Sequence, residues 1–446
     1  MEPELLAYHY EQAGLAVQAV DYWHRAARRD AARSANSEAL NHFNKALELL
    51  KDLPQSPERN ALELELLLAR GVPLLSVKGY ASDEMEHNYR RAKDLSQEHS
   101  GSVHQFRAMR GLWVFHLVSG QIVNACGLAE HLLALATHEQ RSDLLVEAHH
   151  LLGATYYFLG RFHEAKHHLL TTISLDDPNQ HRSLAWLYGQ DPGITARTML
   201  ARASWILGEV DQAETLALEA IAMARAAEHP YTLVFALVFL SRIYSAVRNA
   251  KRTQELTDEA IAVSTKYSFG LGLALGTTSQ GWALANKGQE DGLGKLISGL
   301  AAIRGTGARL DNTFTLALLA DIYLQNNRIE EGLGAIEDAQ KPAVAGGELF
   351  WQAELLRLKG ELLLKQSDQS VHAAEQCLCE AIKIAQGQQA TMLELRTATS
   401  LARLWRKLNK PDEAKHILHS VYSRFTQGID NRDLIEAKTV LEQLGV

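Results

Sequence analysis

His163-Glu164-Ala165-Lys166-His167 is the one stretch whose residue types and spacing spell out a reaction. Two histidines one helical turn apart can hold a zinc ion while the intervening glutamate activates a bound water, which is hydrolase chemistry. The pattern also needs a third ligand and an open coordination position. His168 and His181 are conceivable donors, but neither stands at the spacing of a metalloprotease. On a helix both histidines fall about 200° around from Ala165, a packed position in the pattern described below. They are therefore expected at the surface, with His163 and His167 as weak metal candidates and no cofactor implied.

Other reactive groupings are thinner. Cys377 and Cys379 are two apart, which on a helix points them to different sides, and Cys126 is remote in sequence. All three are expected as small buried hydrophobes. GLGKL at 292–296 lacks both the spacing and the hydroxyl of a phosphate loop, and GTTSQG at 276–281 has the wrong spacing for a nucleophile elbow. No catalytic residue is assigned. Two basic stripes follow helical spacing: Arg25, Arg28, Arg29 and Arg33, and then Arg403, Arg406, Lys407 and Lys410. Each reads first as a solvated face, with the earlier one the better candidate for docking a protein partner. The formal charge of -8, from 45 Lys+Arg against 53 Asp+Glu, opposes nucleic acid as the partner.

The elements that carry these residues repeat. A polar or Gly residue is followed five positions later by a small one and seven later by another small or modest-sized one. The phrase runs Gly120/Ala125/Leu132, Gly160/Ala165/Thr172, Gly208/Ala213/Ala220, Arg248/Thr253/Ala260, Lys287/Gly292/Gly299, Asn327/Gly332/Ala339, Gln369/Ala374/Ala381 and Asn409/Ala414/Val421. The middle members step by 40, 48, 40, 39, 40, 42 and 40 residues, and Ala39/Ala46 and Met85/Ala92 extend the series upstream. Seven residues is two helical turns, so the small residues share one helix face and admit a close neighbour. A second apolar-periodic segment precedes each phrase, often with an aromatic four residues before the turn, as at Tyr156, Tyr244, Tyr323 and Trp405. Each unit is thus predicted to be an antiparallel helix pair, and no stretch alternates like a strand.

The 48-residue step inserts about eight residues within 176–193. Asp191-Pro192 predicts a helix start, with Asp as cap and Pro at the first helical position. The inserted loop carries His181, Arg182, Trp186, Tyr188 and Gln190, a mix of aromatic anchors and polar donors suited to binding a partner or ligand, or to wedging adjacent pairs apart. Lys78 and Tyr80, flanking Gly79, mark a second such junction.

These positions resemble the tetratricopeptide repeat, whose consensus places small, aromatic, glycine and two alanine positions at this spacing. The period exceeds the usual 34 by about six residues, implying longer helices. The resemblance implies an all-α, right-handed superhelical solenoid of about ten pairs over 1–446, with repeats at 1–175 and 194–446 around the insertion. A narrower resemblance links PELLAYHYEQAGLAVQAVDYWHRAARRDAARSANSEALNHFNKALELL, LLSVKGYASDE, GLWVFHLVSG and DDPNQHRSLAWLYGQDPG to the C-terminal helical-repeat arm of bacterial multidomain STAND-type signalling ATPases, maltose-regulator-like proteins included. It implies a sensor or partner-docking role, but no GxxxxGK[ST] phosphate loop is present for the ATPase itself.

Composition agrees. Nine prolines among 446 residues and no Pro-, Ser- or Gly-rich stretch leave no interdomain linker. Leu233–Leu240, the longest apolar run, is far too short to span a bilayer. Three cysteines and an acidic start without an apolar core of a leader favour the cytoplasm. The expected function is a non-catalytic scaffold or sensor arm, binding a protein or peptide in a concave groove lined by the first helix of each pair. Small-molecule sensing near 176–193 is the second reading and a metal-dependent hydrolase at 163–167 the third. The pattern does not set an oligomeric state.

Overall fold

The computed structural model describes residues 2–33, 35–99, 102–428 and 430–445, and side chains at all of these except 98, 99, 102, 178, 179 and 182. Helix α1 (Pro3–Gln12) precedes ten antiparallel pairs. The first four are α2 (Ala16–Ala32) with α3 (Asn36–Lys51), α4 (Pro57–Lys78) with α5 (Asp83–His99), α6 (Ser102–Val118) with α7 (Ile122–Glu139), and α8 (Ser142–Phe158) with α9 (Phe162–Leu175). An extra helix, α10 (Pro178–Tyr188), interrupts the series. It resumes with α11 (Pro192–Ile206) and α12 (Val210–Ala226), α13 (Pro230–Ala246) and α14 (Ala250–Tyr267), and α15 (Gly270–Asn286) and α16 (Asp291–Gly305). The last pairs are α17 (Asn312–Gln325) and α18 (Ile329–Gly346), α19 (Gln352–Gln366) and α20 (Val371–Gly387), and α21 (Thr391–Lys407) and α22 (Pro411–Tyr422), closed by α23 (Arg432–Gln443). The pairs wind into a right-handed, all-α superhelical solenoid, with no strand among the described residues.

The recurrent phrase places the turn and the contact between partners. Gly120, Gly160, Gly208, Arg248, Asn327 and Asn409 all have positive φ, which ends the first helix of each pair in a left-handed residue. The next N–H reaches back over the turn, as Arg161 does to the Tyr156 carbonyl at 2.9 Å and Lys410 to that of Trp405 at 2.9 Å. In the fifth phrase the left-handed residue is Gly288 rather than Lys287, and before α20 a short 3-10 turn, Asp368–Ser370, replaces it. Both small positions of every phrase from Ala125 to Val421 are buried. Asp191 caps α11 as predicted, its carboxylate accepting the Ile194 N–H at 2.9 Å. The stretch 176–193, expected as a loop, instead carries α10, whose first residue is Pro178.

Successive superhelical turns touch. The N–H groups of Arg309 and Leu310 donate to the Val118 carbonyl at 2.7 and 3.0 Å, and those of Leu349 and Phe350 to the Phe158 carbonyl at 2.8 and 3.1 Å. From 118 to 309 and from 158 to 349 is nearly five 40-residue units. Several first helices beyond the N-terminal pairs are therefore covered on almost every face: Thr313–Ala320 in α17 and Met392–Ala402 in α21 are buried without a break. This corrects the expected open groove, which is filled through most of the molecule. Sequence explains part of this: α13, PYTLVFALVFLSRIYSA, is apolar on nearly every face and buries accordingly, whereas α21, TMLELRTATSLARLWRK, is amphipathic and takes its buried Glu394 and Arg396 in as ion pairs to other helices.

Charged clusters sit where the turns meet. Arg202 donates to Asp311 Oδ1 at 3.0 Å, and Arg242 Nε lies 2.5 Å from Asp311 Oδ2. Glu348 accepts the Asp311 N–H at 2.9 Å and both the N–H and the hydroxyl of Thr313 at 2.9 and 2.5 Å. A second cluster joins Arg357 and Arg396 to Glu354, and Arg396 also to Asp433 and to the Ala246 carbonyl. Burial, reinforced by the Asp311 carboxylate, pushes the Glu348 carboxyl up to about 8 from 4.5. Between those values the folded chain holds a proton that the unfolded chain has lost. The group's contribution is therefore complete below pH 4.5 and disappears as pH rises to about 8. Glu348→Gln, which cannot ionise, is expected to gain stability relative to the parent between pH 5.5 and pH 8.5, seen as converging or crossing urea midpoints.

Candidate functional site

One stretch of inner surface stays open. At the N-terminal end α2, α4 and α6 wall a cleft of about 780 Å³, bordered by the end of α10 and the turn that leads into α13. Arg28 from α2 and Arg107 from α6 face it, and among the described residues neither has a carboxylate within ion-pair reach. His24, His104 and His229 add imidazoles, Glu65 the one acidic side chain, and Trp186 an aromatic edge. In a protein of formal charge -8 this is a locally cationic concavity.

Local chemistry sets its character. Burial, with Arg28 alongside, lowers the His24 pKa, and its Nε2 is buried without a hydrogen-bond partner. Burial lowers His229 to about 4, leaving it neutral at pH 7, where its Nδ1 accepts the Thr232 N–H and caps α13. Trp186 is 49% exposed and rests edge-on against His229, with ring centroids 4.7 Å apart. Pro73 has no N–H to give the Ala69 carbonyl, so the helical ladder of α4 is interrupted where both residues line the cleft.

The residues singled out in the sequence are distributed unevenly around this site. Of the first basic stripe only Arg28 lines the cleft. Arg25 pairs with Asp21 at 2.8 Å, Arg29 is tied to Glu2, Glu4 and Asp30, and Arg33 is exposed just past α2. Trp186 reaches the cleft from the insertion, whereas Tyr188 and Gln190 turn instead into a smaller interior cavity, where Tyr80 joins them. Two junctions far apart in sequence are thus brought together. Tyr188 is buried under the Arg110 guanidinium, 4.8 Å above its ring. His181 is buried, its Nδ1 accepting the Asp177 N–H at 3.0 Å and lying 3.4 Å from Asp176 Oδ1. Lys78 is exposed and pairs with Glu84 at 3.2 Å, and the Arg182 side chain lies outside the described residues.

His163 and His167 are exposed on α9, and Glu164 between them is held by Arg161. His168 is drawn away to His149, Nδ1 to Nδ1 at 2.8 Å. No group of three or more His, Cys, Asp or Glu side chains among the described residues is placed to hold a metal ion. Cys126, Cys377 and Cys379 are half-buried thiols, not the fully buried ones expected, because each lies on an outer second helix. The second basic stripe is largely paired: Arg403 with Glu436, Lys410 with Glu375 and Arg406 with Gln443. Missed in the sequence were His24, Glu65, His104, Arg107 and His229. The available signal was a histidine set one turn before an arginine on two first helices, His24/Arg28 and His104/Arg107.

Comparison with known proteins places this architecture. A tetratricopeptide-repeat family profile matches residues 146–179. An uncharacterised protein of Rhizobium meliloti (strain 1021) is 23% identical over 403 residues, which is 90% of this chain and 39% of that protein. The chain thus spans well under half the length of this relative. Among solved structures, a Rap protein complexed with Competence and Sporulation Factor superposes with a TM-score of 0.51 at 11% identity, covering 89% of this chain and 99% of that one. The Cut9-Hcn1 hetero-tetramer of the APC/C gives a TM-score of 0.53 at 12% identity, covering 96% and 76%.

Proposed function

We propose that this chain, a tetratricopeptide-type helical-repeat protein, is a non-catalytic interaction scaffold that holds an acidic segment of a protein or peptide partner in the N-terminal cleft. The observation that carries this reading is the pair of cations, Arg28 and Arg107, without a carboxylate partner among the described residues, in a 780 Å³ concavity with an exposed tryptophan at its rim. Such a site offers charge complementarity and an aromatic anchor, the two features that give an interface its selectivity and its hot spot. A Rap protein, similar in fold, was solved with a bound factor, which supports binding as the use of such a solenoid. Residues 1–446 act here as one continuous solenoid rather than as separate domains.

A signalling NTPase is the partner that the arm resemblance implies, and the cytoplasm the compartment. No helix among the described residues is long and apolar enough to cross a membrane. Fluorescence anisotropy with a panel of labelled peptides, acidic, basic and neutral, tests the reading. Acidic peptides are expected to bind preferentially and more weakly at higher salt. The double reversal Arg28→Glu/Arg107→Glu should cut their affinity by roughly 10- to 100-fold while leaving the circular dichroism unchanged. Equal binding of all three peptide classes, or affinity that survives the double reversal, would refute it.

A further inference from the structure

A second cavity, of about 80 Å³, lies inside the superhelix behind the end of α10. Its walls are largely apolar and aromatic, Trp113, Phe158, Phe235 and Phe239 among them. The one cation that faces it among the described residues, Arg110, is already matched. Arg110 donates from Nε to Glu147 Oε1 at 2.8 Å and from Nη1 to the Tyr188 carbonyl at 2.9 Å. Glu147 in turn lies 3.5 Å from His150 Nδ1. A charged guest would therefore lose its hydration with no counter-charge to receive it. Tyr80, Gln190 and Tyr231 also line it, the two tyrosine rings 5.8 Å apart, so two phenols and an amide give the cavity a few groups able to both donate and accept.

We infer that this cavity is a binding site for a small, uncharged, single-ring molecule carrying one hydroxyl group. The aromatic walls take the ring, and Tyr80, Gln190 and Tyr231 take the hydroxyl. The present volume of about 80 Å³ is smaller than the roughly 150 Å³ that accommodates benzene in a protein core. Met199, unbranched and rotatable, is the wall that yields the remainder. Occupancy is felt at the cleft because the two sites share a partition. Trp186, Leu187 and Gly189 line the cleft, Tyr188 and Gln190 line the cavity, and Tyr231 lines both. This inference does not depend on the nature of the cleft's partner.

Ligand-observed NMR titrations of the full chain at pH 7 with phenol, benzene and benzoate test it. Phenol should bind saturably, benzene roughly tenfold more weakly for want of the hydroxyl contact, and benzoate not at all. Ala154→Phe, which fills the cavity, should abolish phenol binding, and Gln190→Leu should reduce phenol to the level of benzene. Circular dichroism shows whether the filled variant folds, and the Gln190 variant decides the matter if it does not. Hydrogen exchange at 186–190 should slow in the presence of phenol. Absence of saturable phenol binding, benzoate binding as tightly as phenol, or phenol binding untouched by Gln190→Leu overturns the assignment.

Discussion

Asp311→Ala is expected to cost about 3–5 kcal/mol, among the largest losses any single substitution in this protein would produce. Asp311 is 1% exposed and faces two guanidiniums, those of Arg202 and Arg242, which are 3% and 1% exposed. Removing the carboxylate leaves both cations buried without their counter-charge, and each also sits against aromatic rings that offer only partial relief. The same residue has a φ of 65°, which alanine tolerates poorly. Asp311→Asn separates the two causes, since asparagine accepts the left-handed conformation and keeps the shape. If charge dominates, the asparagine variant should lose nearly as much as the alanine one in a urea titration followed by near-ultraviolet circular dichroism. Full recovery in the asparagine variant would assign the loss to the backbone instead.

Gly292→Ala should destabilise by about 3 kcal/mol, at the upper end for overpacking, although alanine is the better helix former. A Cβ at Gly292 would lie 2.2 Å from the Ala285 nitrogen, and one at Gly281 2.3 Å from the Leu296 nitrogen. These neighbours are backbone and cannot rotate away, so α15 and α16 would have to separate and loosen Trp282, Leu296 and Leu300 together. Gly294, two residues further along the same helix, has nothing within 4 Å of its Cβ position. Gly294→Ala should therefore stabilise, by about 0.5–1 kcal/mol through helix propensity alone. Opposite signs at 292 and 294 in thermal melts are the expected result, and equal signs would mean that the helices are not in backbone contact.

The repeat itself was legible because it is written in residues that serve geometry. Small side chains mark a helix contact, and a glycine or asparagine marks a left-handed turn. Both signals are local, so Gly160, Ala165 and Asp191 could be placed from the sequence alone. The surface position of His163 and His167 followed from the same register. What escaped was whatever depends on residues far apart in the chain. Arg202 and Asp311 are 109 residues apart, and no spacing rule joins them. Nor does any rule bring Tyr80 to Gln190.

Helix α10 differs: the length of the 48-residue step marks an insertion but not its conformation, and of its LAWLY run Leu184, Ala185 and Tyr188 are buried while Trp186 and Leu187 are exposed. Part of the filled interior has a visible cue in first helices that are apolar on nearly every face, such as α13. That cue speaks of burial, however, and the partner that buries them lies nearly five units away.

The contact between successive turns has a mechanical side. An open solenoid behaves as a loosely wound spring, and its ends approach or separate under small loads by slight changes at every unit. Here the coils already rest on one another through the Val118 and Phe158 carbonyls and the arginines that converge on Asp311. Compression has almost nowhere to go, and extension does nothing until those bonds give way. Under tension the molecule should hold its length up to a threshold and then yield in discrete steps, so it transmits displacement as a rigid rod would.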